Sequence, residues 1–164
     1  MTPTPTGRVV PTPEGRDLVL TRRFAGSVDD VWASITESER TARWFGSWTG
    51  EPGAGNTVTV TMTAEEGNPE IEVHIDVCEP PRHLALTILD EMGAWRLEGH
   101  VRAVDGGAEL ELVHHLPASA EARDTGPGWE FYLDRLVASV VDAPLPDFGD
   151  YHPAQCAYYE AAGG

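Results

Sequence analysis

The feature that most constrains this chain is a strict two-residue alternation through its middle. Val58, Val60 and Met62 alternate with threonines, and Ile71, Val73, Ile75 and Val77 alternate with Glu72, His74 and Asp76. Leu84, Leu86 and Ile88 continue the pattern. Trp95, Leu97, Gly99 and Val101 oppose Arg96, Glu98, His100 and Arg102, and Leu110, Leu112, His114 and Leu116 oppose Glu109, Glu111 and His115. Successive side chains of a strand point to opposite faces, so each segment has one apolar and one wet face. An antiparallel sheet covered on one side requires that arrangement. The links Glu66-Gly67-Asn68-Pro69, Glu79-Pro80-Pro81-Arg82 and Asp105-Gly106-Gly107 are short and turn-like.

The period changes on either side of this run. Leu18, Leu20, Arg22 and Phe24 share one face of a strand over Asp17–Phe24. Ser27 then caps a helix with Asp29 and Asp30 in its first turn, and Val28, Val31, Trp32 and Ile35 form its apolar stripe. A second short helix, Ser38–Phe45, ends at Gly46. A last helix opens near Pro127 and must stop before Pro144. Trp129, Leu133, Leu136 and Val140 line one side of it, with Tyr132 and Val137 flanking, and Gly126 and Gly128 allow another element to approach closely. Glu130 and Asp134 fall on the wet side of that stripe, where alanine should cost under about 0.5 kcal/mol.

This order reads as one α+β domain over residues 17–143, a curved antiparallel sheet covered by one amphipathic helix. A hollow between sheet and helix is a common ligand site. Residues 1–16, rich in proline, threonine and glycine, read as a flexible N-terminal tail, and residues 144–164, aromatic and acidic, as an extension packing on the domain.

Composition removes several classes of function. With 27 acidic against 11 basic residues, the net charge of -16 repels phosphate backbones and anionic lipid, so neither nucleic acid nor membrane is an expected partner. No apolar run approaches the ~20 residues of a membrane span. The N-terminus lacks the basic start and apolar stretch of a secretory signal, and Cys78 and Cys156 are far apart, as reduced thiols of a cytoplasmic protein would be. No cofactor is expected, because Gly50-Glu51-Pro52-Gly53-Ala54-Gly55 lacks the Lys-Ser/Thr of a phosphate loop. No metal is expected either. His114 and His115 point to opposite faces, and His74, His83, His100 and His152 have no ligand-like spacing. Gly-x-Ser-x-Gly is absent. Nothing in the sequence determines an oligomeric state.

The candidate site residues follow from parity. His114 shares the inward face of its strand and can be a general acid or base, a ligand-orienting group, or, more commonly, a packed histidine bonded to a neighbour. Arg22 has the same parity and either meets a ligand carboxylate or carbonyl or pairs with a protein carboxylate at the core's rim. Trp32, Trp44, Trp95 and Trp129 fall on inward faces or element ends, as pocket lining or as large core residues. Met62 and Tyr132 complete the candidate ligand-binding set, and Trp48 lies near a loop.

Several of these segments also resemble a known family. They are Leu20-Thr21-Arg22-Arg23-Phe24 followed by Val31-Trp32, then Ala42-Arg43-Trp44-Phe45-Gly46, the turn Glu79-Pro80-Pro81-Arg82-His83-Leu84, and Gly126-Pro127-Gly128-Trp129-Glu130-Phe131-Tyr132-Leu133-Asp134-Arg135-Leu136. From about Asp17 to Val141 the chain is similar to the Hsp90-ATPase-activator-homologue family of the START-like, or SRPBCC, superfamily. Ser38 stands where many relatives have a proline, a local capping change. The resemblance implies a helix-grip fold, a curved sheet wrapped around a long C-terminal helix with two short helices after the first strand. It also implies binding of a small hydrophobic molecule in the cavity. A cyclase- or dehydratase-like enzyme acting on a polyketide-like substrate is one alternative, and a chaperone-associated module with a protein partner is another. Co-chaperones of the family carry an additional N-terminal domain, whereas here only Met1–Arg16 precedes the first expected strand, which argues against Hsp90 activation.

Overall fold

The computed structural model describes residues 3–90 and 93–163. Eight strands form one antiparallel sheet: β1 (Arg8–Thr12), β2 (Gly15–Phe24), β3 (Ser47–Thr49), β4 (Thr57–Thr61), β5 (Glu70–Glu79), β6 (His83–Asp90), β7 (Gly93–Val104) and β8 (Gly107–Pro117). Their spatial order is β1-β2-β8-β7-β6-β5-β4-β3, so β1 and β3 are the two edges and the last strand, β8, lies inside the sheet beside β2. Helices α1 (Val28–Thr36) and α2 (Ser38–Thr41) follow β2, and the long helix α3 (Ala122–Val140) follows β8. A 3-10 turn at Phe148–Asp150 leads to α4 (Cys156–Gly163).

The alternating residues do what their period requires. Leu18, Leu20, Val58, Val60, Val73, Ile75, Ile88, Leu97, Val101, Leu110 and Leu116 are buried on one sheet face, against Trp129, Leu133 and Leu136 of α3. Truncating a leucine such as Leu133 or Leu136 in such a core costs roughly 2–5 kcal/mol. Ser27 caps α1 by accepting from the Asp30 amide at 3.2 Å. The architecture is the α+β helix-grip arrangement, a curved sheet closed by the long C-terminal helix.

Three local features differ from the sequence expectation. Of the segment read as a tail, residues 1 and 2 lie outside the described residues, but Arg8–Thr12 is a strand pairing with β2 from Arg8↔Val19 to Thr12↔Gly15. Pro11 is tolerated there because β1 is an edge strand, where a missing N–H need not break a ladder. α2 ends at Thr41 rather than Phe45, with the Phe45 and Gly46 amides both closing on the Thr41 carbonyl. Trp48 lies in the short strand β3, which leads directly into the loop over residues 50–56. Helix α3 starts five residues before Pro127 and carries the proline inside it, at the cost of one intrahelical hydrogen bond.

Burial of α3 on a second side is the larger correction. Glu130, expected in water, has only 1% of its side chain exposed. Its carboxylate receives Arg22 Nη2 at 2.6 Å, the Tyr159 hydroxyl at 2.6 Å and the Thr6 hydroxyl at 2.8 Å, and the Thr6 amide as well. Arg22 Nε meets Asp134 at 2.9 Å, and the Asp134 carboxylate also accepts from the Tyr151 hydroxyl at 2.7 Å. Residues 3–7 and α4 therefore cover the face of α3 that the apolar stripe leaves free. The close approach of α4 depends on Gly126, where a Cβ would sit 2.3 Å from the Tyr159 ring.

Burial alone would push Glu130 toward protonation, yet the hydrogen bonds from Tyr159, Arg22 and Thr6 outweigh it and hold the carboxyl below its ordinary range. Removing one partner of such a set leaves an uncompensated buried charge, typically at a cost of about 3–5 kcal/mol. Glu130→Ala should therefore destabilise the domain by roughly that amount in denaturant melts, far more than a surface carboxylate would. A loss below about 1 kcal/mol would show that this cluster does not hold the helix.

Candidate functional site

The inward row of β7 reads Trp95, Leu97, Gly99, Val101, and the glycine leaves a gap where its neighbours have side chains. A Cβ on Gly99 would meet only Ile35 and Leu110, each at an ordinary 3.8 Å. The gap opens into an apolar cavity of about 180 Å³ between the sheet and helices α1 and α3, bounded by Ile35, Trp44, Val60, Leu97, Gly99 and Leu133 among others. A glycine inside a strand commonly marks a place where something else comes close to the backbone.

A second, wider cleft of about 740 Å³ adjoins it, lined by Met62, Glu65, Trp95, Thr125, Trp129 and Tyr132 among others. Phe45, Ile88 and Trp129 border both spaces and so form the partition between them. The Phe45 and Trp129 rings are stacked, with centroids 6.4 Å apart and planes at 8°. Tyr132 meets Phe45 edge-on at 5.2 Å, and its hydroxyl donates to Glu65 Oε2 at 3.2 Å. Burial and the Glu65 charge both push the Tyr132 phenol's pKa upward, so it stays protonated and remains a donor.

Among the residues expected to bind ligand, Trp44 borders the inner cavity, Met62, Trp95 and Tyr132 the outer cleft, and Trp129 both. Arg22, Trp32 and His114 line neither space. Arg22 is engaged by Glu130 and Asp134, and Trp32 packs against the core. His114 is buried behind the partition, where its Nδ1 accepts the Trp129 indole N–H at 3.1 Å and its ring lies 5.0 Å from that of Trp95. An indole can only donate, so Nδ1 is the acceptor and the neutral imidazole carries its proton on Nε2. His114 thus fixes the orientation of the tryptophan that divides the two spaces.

Sequence reasoning did not identify Phe45, Glu65 or Gly99 as site residues. Gly99 was legible as the one inward position without a side chain. Phe45 was not, because it leaves a turn after α2 and reaches Trp129 only through the tertiary fold.

Burial, with a smaller contribution from the neighbouring His115 charge, lowers the His114 pKa from its ordinary 6.5 to about 4. As pH falls below 6.5, the unfolded chain takes up this proton before the folded one does, so stability is lost between pH 6.5 and about 4. On the outer face, burial opposes charging of His115, but hydrogen bonds with Asp17 and Glu98 raise its pKa. For His83 the leading influence is the hydrogen bond with Glu98, which also raises it. Their contributions are complete below their unfolded values and fade only as pH rises, so they do not obscure the His114 window. Between pH 7 and pH 5 the protein should lose roughly 2 kcal/mol more than His114→Gln does in denaturant melts. Equal losses would mean that His114 is not held neutral.

Residues 25–140 match the family model described as Activator of Hsp90 ATPase homolog 1-like protein. No curated protein shows significant similarity to the chain. Among solved structures, CalU16 from Micromonospora echinospora is similar at 25% identity with a TM-score of 0.76, over 98% of this chain and 96% of that one. A protein from Enterococcus faecalis, EF2215, is similar at 16% identity with a TM-score of 0.72, over 94% of this chain and 91% of that one. DynU16, from the dynemicin biosynthetic locus, is similar at 18% identity with a TM-score of 0.68, over 80% of this chain and 50% of that one. The last two likenesses concern the fold alone. With the family match spanning most of its length, and the helix-grip sheet and closing helix in place, the chain belongs to the Activator of Hsp90 ATPase homolog 1-like family of START-like proteins.

Proposed function

We propose that this domain is a binding protein for a small, predominantly apolar molecule that lies across the partition, with its most apolar end beside Gly99. The observation that carries this reading is the gap in the β7 row, which opens into an apolar space under the closing helix. An apolar cavity of about 150 Å³ is enough to hold a benzene-sized group. The 180 Å³ inner cavity suits one ring or a short alkyl end, and the 740 Å³ cleft accommodates the remainder. Glu65, Glu66 and Asp124 border the outer cleft, in a protein of net charge -16. That field disfavours a carboxylate or sulfonate and suits a neutral or cationic ligand.

The catalytic alternative lacks comparable support. His114 has its basic nitrogen occupied by Trp129, and Arg22 holds two carboxylates, so neither is presented to a substrate.

Nile red, neutral and apolar, should bind with a change in tryptophan emission, while the anionic anilinonaphthalene sulfonate binds at least about tenfold more weakly. Gly99→Leu should fill the inner cavity, abolish Nile red binding and leave thermal stability unchanged or raised, since glycine weakens a strand interior. A folded Gly99→Leu variant that binds Nile red as well as the parent would refute the assignment.

A further inference from the structure

The outer face of the sheet carries a cluster of imidazole and carboxylate side chains. Glu98 and His100 are two residues apart on β7 and so share a face. His83 on β6 stands directly opposite His100, and their rings stack at 4.4 Å. From the geometry of this cluster we propose that His83, Glu98 and His100 form a binding site for a divalent transition-metal ion of the zinc class.

The three ligand atoms lie within 4.8 Å of one another. Donors bound to one tetrahedral zinc at its usual distances sit roughly 3.4 Å apart. His100 Nε2 is already 3.5 Å from Glu98 Oε1. His83 Nε2 is 2.7 Å from the same oxygen, so a small rotation that opens this pair makes room for the ion. Two imidazoles and one carboxylate suit zinc and its neighbours, whereas calcium and magnesium favour all-oxygen sets. Three protein donors also leave a fourth position for water.

The surrounding groups are arranged as outer partners of a metal site usually are. Metal-bound histidines commonly direct their other ring nitrogen at a carboxylate, which fixes the ring. His83 Nδ1 lies 3.3 Å from Glu79 Oε1, leaving Nε2 to face Glu98 and His100. The second oxygen of Glu98 is held by His115 Nε2 at 2.6 Å, and His115 Nδ1 is held in turn by Asp17 at 2.7 Å. Asp17 and His115 therefore orient Glu98 so that Oε1 projects between the two imidazoles. None of this was visible as a spacing motif, because the ligands come from one strand at two-residue separation and from its antiparallel partner.

A second group, Asp124, His152 and Cys156, also lies close enough to hold an ion, and it is the natural competitor. The two are distinguished by sulfur. The experiment is a titration of the chelator-stripped full chain with Zn²⁺ by calorimetry, followed by Co²⁺ as a spectroscopic substitute. The expected result is one Zn²⁺ per chain at micromolar affinity or better, weakened at least about tenfold by His100→Ala and by Glu98→Gln and unchanged by Cys156→Ser. The Co²⁺ form should show ligand-field absorption without a thiolate charge-transfer band. His100 is half exposed on the outer face, so its variant is expected to fold, which melts without metal verify. Absence of Zn²⁺ binding, binding indifferent to His100→Ala and Glu98→Gln, or binding lost in Cys156→Ser would each overturn the proposal.

Discussion

The structure turns on one buried carboxylate. Glu130 sits on the side of α3 away from the apolar stripe and joins four parts of the molecule: the helix itself, β2 through Arg22, residues 6 and 7 through Thr6 and Gly7, and α4 through Tyr159. A charge taken out of water needs opposite charge and hydrogen bonds together, and this one has both. The demand is directional, so it specifies where α3 lies on the sheet more sharply than leucine packing can. With the helix held there, the space beneath it is defined by the sheet side chains below.

That space follows from a missing side chain. On the inward face of β7, Gly99 interrupts a row of large residues, and α3 spans the gap instead of collapsing into it. Trp129 forms part of its outer wall, and its indole is tied to His114, a residue kept neutral by burial. The polar groups of the interior thus serve mainly to orient the apolar wall. Few, carefully placed hydrogen bonds around a mainly apolar space are what the proposed binding role requires.

Much of the fold was legible because its information is local. Alternation marked β4 to β8, Ser27 with Asp29 and Asp30 marked the start of α1, and the Trp129, Leu133, Leu136 stripe marked the inner face of α3. What was not legible depends on partners distant in sequence. The proline- and threonine-rich start forms β1 only because β2 offers it a ladder. Glu130 looked solvent-facing because its cover comes from Thr6, 124 residues away, and from Tyr159 in the terminal helix. Of the site, the tryptophans were readable as large inward residues. The carboxylates that engage Arg22 and the indole that faces His114 are partners that parity alone does not reveal.

The central claim is that the space under α3 is the ligand site, and methyl-resolved NMR tests it most directly. On titration with a neutral apolar ligand, intermolecular contacts should appear at Leu86, Leu97, Leu112 and Leu133, which border the inner cavity. The methyls of Val19 and Val113, buried outside the main core cluster, should remain unchanged. Contacts confined to the exposed Val141 and Leu145, with the cavity methyls silent, would place the ligand on the surface and contradict the account.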